Sequence, residues 1–274
     1  AGGHNELMPF ESRVVMPQWI ALSPSQHAGL GYLPRDGYHF ADQLNVAGIL
    51  LAELPKLLPH YVVVLLKEGE HFQPMVLLGV GERNLYVAPN GKWLGTYVPA
   101  SLRGYPFTLA NSEQPGEKVF AIDADHLSEN QGDALFDDEG KLAGTAAQTL
   151  DFLTQCDRNR AATQQACDAL QRAGVIEQWP LTIERGEGQE PLTVNGLYRI
   201  NEAALINLEA DVFATLKGAP MALAYAQMFS MGQLNQLADR AKFHAEHGAI
   251  QEVPENLDSV LDGMDDDDLM FDFD

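Results

Sequence analysis

The chain has 274 residues, 46% apolar and 20% charged, which is ample for a buried core. Its 39 acids against 17 Lys and Arg leave a net charge of −22. That balance argues against wrapping nucleic acid, whose phosphates it would repel, and against polybasic attachment to an anionic membrane.

Residues 1–45 read as an irregular N-terminal segment packed on the body, with Pro9, Pro17, Pro24 and Pro34 interrupting any long element. The opening Ala1-Gly2-Gly3-His4 has neither a basic n-region nor an apolar h-region. No stretch reaches the ~18 apolar residues of a membrane span, so cytoplasmic residence is the expectation. Residues 46–250 read as the body. Residues 46–58 fit a short helix or an apolar strand flank. Residues 61–66, 75–80 and 85–87 predict three strands of an antiparallel meander, with Asn90-Gly91 as a tight turn. Residues 119–123 predict a further strand.

From residue 145 to 174 apolar residues recur near a 3.6 period, which predicts a long helix with Gly174 at its C-terminal cap. Cys156 and Cys167 both fall in it. Eleven residues of helix hold them about 16 Å apart, beyond the ~7 Å a disulfide allows, so both are expected to be free thiols. Residues 179–183 and 192–200 predict a hairpin. Asn201 is placed to cap a helix, and residues 231–247 predict a longer one. A β-rich half followed by helix, hairpin and helices predicts an α+β fold, an antiparallel sheet core with flanking helices.

The densest segment is Trp93-Leu94-Gly95-Thr96-Tyr97-Val98-Pro99-Ala100-Ser101-Leu102-Arg103-Gly104-Tyr105-Pro106-Phe107. Pro99 suits the start of a short helix and Pro106 its end, and Tyr-Pro is a candidate cis bond. This W-x-G-x-Y-x-P-x-x-L-R-x-Y-P-F pattern resembles the SapC family of bacterial proteins. So do Leu77-Leu78-Gly79 with Asn84-Leu85-Tyr86-Val87, Leu135-Phe136-Asp137-Asp138-Glu139-Gly140, and Gly196-Leu197-Tyr198-Arg199-Ile200-Asn201-Glu202. The similarity runs in consistent order over residues 20–245. Two positions depart from it: His60-Tyr61-Val62 stands where Tyr-Pro is usual, and Asn201 where Asp is usual. The family name implies a surface-layer association for some members. The resemblance also implies companions of TonB-dependent receptor loci and of flavin-dependent halogenase-like genes. It brings no assigned catalytic residue.

Within the segment, Arg103 with Trp93, Tyr97 and Tyr105 can form an anion or peptide pocket, a guanidinium fork beside stacking rings. Alternatively Trp93 and Phe107 plug the core and Arg103 pairs with a carboxylate such as Glu53. His244 and His247 share a helix face but lack further metal ligands, and read as a solvated helix end. Asp123-Ala124-Asp125 and Asp137-Asp138-Glu139-Gly140 read as turns rather than a calcium loop. No nucleophile sits in a catalytic context, and no cofactor or metal is expected.

Residues 251–274 read as an acidic, amphipathic tail. Ten acids lie between Glu252 and Asp274, and no Lys or Arg follows Lys242, so the last 23 residues carry −10 and the preceding 251 carry −12. A purely solvating tail would not need Leu269, Met270, Phe271 and Phe273 beside Asp267 and Asp268. Such a segment can dock on a basic-rimmed apolar groove. Self-docking and plain solubility are the alternatives. Three functions are therefore expected to compete. The first is an accessory binding protein with a protein partner, the second an enzyme or enzyme subunit working beside flavin-dependent halogenase-like proteins, and the third a surface-layer component exported without a Sec signal.

Overall fold

The computed structural model describes residues 17–81, 83–112, 114, 116–183 and 191–247, so the tail candidates Leu269, Met270, Phe271, Phe273, Asp267 and Asp268 lie outside the described residues. The strands are β1 (Trp19–Ala21), β2 (Gly31–Tyr32), β3 (Val46–Gly48), β4 (Val63–Glu68), β5 (His71–Leu77), β6 (Phe107–Asn111) and β7 (Lys118–Asp123). They continue with β8 (Leu127–Ser128), β9 (Asp133–Ala134), β10 (Ile176–Gln178), β11 (Leu181–Ile183), β12 (Leu192–Val194) and β13 (Leu197–Ile200). The helices are α1 (Pro24–His27), α2 (Leu54–Leu57), α3 (Ala100–Arg103), α4 (Gly144–Arg172), α5 (Glu202–Ile206), α6 (Ala210–Thr215), α7 (Ala219–Ser230) and α8 (Leu234–His247). The fold is α+β.

The main sheet is antiparallel, in the order β10-β13-β4-β5-β3. Its centre is β4, where Val63, Val64 and Leu65 are all fully buried. A strand buried on both faces needs an unbroken apolar run, not an alternating one. A two-residue turn, Gly69-Glu70, joins β4 to β5, with Gly69 at positive φ. The expected third strand at residues 85–87 does not form. Both edges of β5 are already taken, by β4 on one side and by the upstream β3 on the other. Residues 84–87 instead form a turn locked by Asn84, whose side chain donates to Ala41 O and accepts from Tyr86 N. The expected hairpin is also divided. β11 and β12 pair with each other, while β13 leaves them to join the main sheet.

A second sheet, β1-β7-β6, and a third, β8-β2-β9, build a smaller core around Tyr32, Phe107, Phe120, Ile122 and Phe136. The N-terminal segment thus contributes β1 and β2 to sheets of the body. Helix α4 joins the two cores. Ala146 near its start is buried in the smaller one, with Leu150 and Leu153 packed against it; Ala166, Cys167 and Leu170 near its end enter the larger. Its 29 residues span about 43 Å at 1.5 Å per residue. It ends in a Schellman motif: Val175 N donates to Leu170 O and Gly174 N to Gln171 O, with Gly174 at φ 70°. No helix among the described residues is long and apolar enough to cross a membrane.

Candidate functional site

Glu53 closes a short 3-10 turn (Leu51–Glu53) just before α2 and is only 4% exposed. One carboxylate oxygen accepts from Leu50 N at 2.9 Å. The other accepts from Ala100 N at 2.6 Å and from the Tyr97 hydroxyl at 2.9 Å. A buried carboxylate must find donors, and here three groups supply them. This ties the 3-10 turn to the start of α3, some 47 residues further along the chain. The Tyr97 hydroxyl in turn accepts from an Arg103 terminal nitrogen at 3.1 Å. Burial first, then the Glu53 carboxylate, pushes the Tyr97 phenol up to about 12, so it stays a donor to Glu53 at neutral pH.

Arg103 itself is exposed at the end of α3. Its guanidinium lies 5.3 Å from the Tyr97 ring centroid and 4.8 Å from that of Phe152, a frame of two aromatic faces. Among the described residues it forms no ion pair with a carboxylate. The expected direct pairing with Glu53 is therefore corrected to an indirect one through the Tyr97 hydroxyl. Glu53 has no open face for a ligand, because the fold's own donors occupy both its oxygens.

Trp93 and Tyr105 do not share this site. The Trp93 indole donates to the Tyr61 hydroxyl at 2.9 Å and stacks on Tyr86 with centroids 5.6 Å apart. The Tyr61 hydroxyl then donates to the Tyr97 carbonyl, which makes Trp93 an inner support of the Tyr97 backbone. Tyr105 turns the other way. Its ring stacks on Phe40 at 3.9 Å and its hydroxyl donates to the buried Asp123 at 2.6 Å. Phe107 is a core residue, and the Tyr105-Pro106 bond is cis.

Beside Arg103 a cleft with a cavity of about 140 Å³ runs between β3, β6 and the middle of α4. Cys156 and Arg160 line it. Phe152, Cys156 and Arg160 recur at i, i+4 and i+8, so one stripe of α4 presents an aromatic ring, a thiol and a guanidinium. That stripe was readable from spacing, but Phe152 and Cys156 pass as core positions in a period count. Burial and the nearby Glu53 charge raise the Cys156 thiol, and Arg103 and Arg160 only partly offset them. Both cysteines are free, and burial pushes Cys167 up to about 12.

Two further expectations change or sharpen. His244 is not a solvated helix end. It is 7% exposed, and its Nε2 lies 3.1 Å from Leu85 O. The Asp137 loop is a turn, in which Asp137 accepts from Glu139 N and Lys141 N. Among the described residues no three His, Cys, Asp or Glu side chains group as metal ligands.

No curated protein and no solved structure matches the chain. The family described as SapC matches residues 22–237, a span that includes Glu53, Tyr97, Arg103, α4 and both cores. The chain belongs to the SapC family.

Proposed function

We propose that this protein is an accessory binding protein without catalysis of its own. It takes an anionic group, such as a peptide carboxylate, at Arg103, and it docks a protein partner through the acidic, apolar tail. The observation that carries the first half is the state of Arg103. Its guanidinium is exposed, held in place by Tyr97 and framed by Phe152, and leaves donors directed to solvent. A preorganised fork of this kind binds carboxylate or phosphate at low entropic cost. The Cys156 thiol close by is raised by burial and by the Glu53 charge, which favours binding over thiolate chemistry.

Acetate and inorganic phosphate titrated into the full chain, followed by NMR at the Arg103 side chain, test the site. A saturable shift that disappears in Arg103→Ala is expected, with Arg103→Lys weaker than wild type. No saturable shift would end the anion reading. Arg103→Ala should move stability by no more than about 1 kcal/mol, the usual scale for an exposed cation–aromatic contact.

For the tail, pull-downs from native lysate with and without residues 252–274 should recover different partners. Recovery of the same proteins at the same strength rejects tail docking. We take the cytoplasm as the place of action, and cell fractionation tests it against export to the surface.

A further inference from the structure

Helix α8 carries bases where its pattern calls for apolar residues. Leu237, Arg240 and His244 stand at i, i+3 and i+7, on one face of the helix. On that face Leu237 and His244 are buried and Arg240 is half-buried, whereas Asp239, Lys242 and Glu246 are exposed. Proteins break such patterning mainly at functional or strained sites. The face lies on residues 83–86, with later residues of the helix on earlier residues of the segment. The Arg240 guanidinium sits 4.3 Å from the Tyr86 ring centroid, and His244 Nε2 lies 3.1 Å from Leu85 O. Arg83, which is exposed, acts on the imidazole together with Arg240.

Two polar atoms of this cluster are buried without a partner among the described residues, Arg240 Nε and His244 Nδ1. Cα–Cβ bonds of a helix tilt toward its N-terminus, so the His244 ring leans over the turn that holds Arg240. Neither Arg83 nor Arg240 forms an ion pair among the described residues, although the chain has 39 acids for 17 Lys and Arg. Asp42 is the acid that acts on the imidazole, and its carboxylate is already 3.2 Å from His39 Nδ1. These donors and acceptors specify a ligand. Leu85 O can only accept, so Nε2 carries the imidazole proton and Nδ1 of the neutral ring is an acceptor. Arg240 Nε–H is a donor. One ligand that serves both must accept and donate, and it must offset two positive charges. Water has the groups but not the charge. A carboxylate, a sulfate or a phosphate monoester above its second ionisation, near pH 6, has charge but no proton to give. Monohydrogen phosphate has two negative charges and one O–H.

We infer that Arg83, Arg240 and His244 form a binding site for inorganic phosphate as its monohydrogen dianion. The two guanidiniums donate to the charged oxygens, and the phosphate hydroxyl donates to His244 Nδ1. The Tyr86 ring holds Arg240 against the segment. The site is distinct from Arg103, which sits against Tyr97 and Phe152, and does not rest on the reading of that residue. Its selectivity depends on the imidazole being neutral. Burial holds His244 below the ordinary value, Arg83 and Arg240 push the same way, and the Leu85 carbonyl and Asp42 oppose them in part. Once His244 is protonated, Nδ1 becomes a donor and a fully ionised anion fits as well.

Sodium phosphate, sulfate and glycerol phosphate titrated separately into the full chain at pH 7.5 and matched ionic strength test the site. The readout is the His244 imidazole NMR signal, assigned by its loss in His244→Gln. Phosphate should shift it saturably and bind about tenfold tighter than sulfate or glycerol phosphate, the worth of one hydrogen bond. At pH 5.5 the preference over sulfate should narrow. Arg83→Ala, at an exposed position, should weaken phosphate severalfold, and Arg240→Lys, which keeps the charge but loses the fork, should do the same. No saturable shift at His244 overturns the inference and leaves water as the partner of the two buried atoms. Equal affinity for phosphate and sulfate at pH 7.5, or wild-type affinity in Arg83→Ala, overturns it as well. Anion binding at Arg103 is read from that side chain's own signal, so each site can fail alone.

Discussion

Glu53 accepts three hydrogen bonds from donors that have no other acceptor among the described residues: Leu50 N, Ala100 N and the Tyr97 hydroxyl. Glu53→Ala strands two buried N–H groups and releases Tyr97, the anchor of Arg103. Hydrogen bonds to a charged group are worth about 1.5–3 kcal/mol each and are not additive, so a loss of about 3–5 kcal/mol in urea unfolding is expected. His244 carries a different dependence. Burial holds its pKa below the ordinary imidazole value, and Arg83 and Arg240 push the same way; the Leu85 carbonyl and Asp42 oppose them only in part. The native state therefore keeps His244 neutral, and the unfolded chain binds the proton more readily. The stability from this site is intact above about pH 6.5 and falls as pH drops below that value. Urea midpoints at pH 7.5 and 5.5 should differ more in wild type than in His244→Gln. Identical pH dependence would show that His244 is not the titrating group.

At the scale of elements, α7 repairs a defect in the main sheet. β13 and β4 pair at Tyr198–Leu65 and Leu197–Leu66, then part before Ile200 and Val63 can bond. Gln227, 1% exposed, fills the gap: its amide accepts from Ile200 N at 2.9 Å and donates to Val63 O at 3.2 Å. Ser230 accepts from Val63 N at 2.8 Å. Gln227→Leu leaves two buried backbone groups unpaired, which costs about 2–4 kcal/mol. Faster amide exchange at Ile200 should accompany the loss. Unchanged stability would mean the strands close on each other without the side chain. The outer face of the same helix carries Phe229, 71% exposed and stacked on Tyr225. Elements with local causes were legible in advance. α4 begins and ends within two residues of its expected limits, because its period and the Gly174 stop act within a few turns. Asn201 caps α5 through Ala204 N for the same reason. The missing strand at residues 85–87 was not legible. Whether it pairs depends on β3, nearly 40 residues upstream, having already taken the edge of β5.

For the whole molecule, two cores on one helix leave a cleft at their junction, lined by Cys156, Asp157 and Arg160 of that helix. The sequence by itself determined the family, the α+β class, the long helix and the segment holding Arg103 and Tyr97, because each follows from composition, period or a contiguous motif. Only the tertiary structure decided how that segment divides. Trp93 packs half-buried against the core, Tyr105 turns toward Asp123, and Glu53 is consumed by two backbone donors and the Tyr97 hydroxyl rather than held for Arg103. The physical reason is that residues adjacent in sequence are directed to different cores by strands and helices far along the chain. Burial forces each polar atom to bond whatever donor or acceptor the packing brings near.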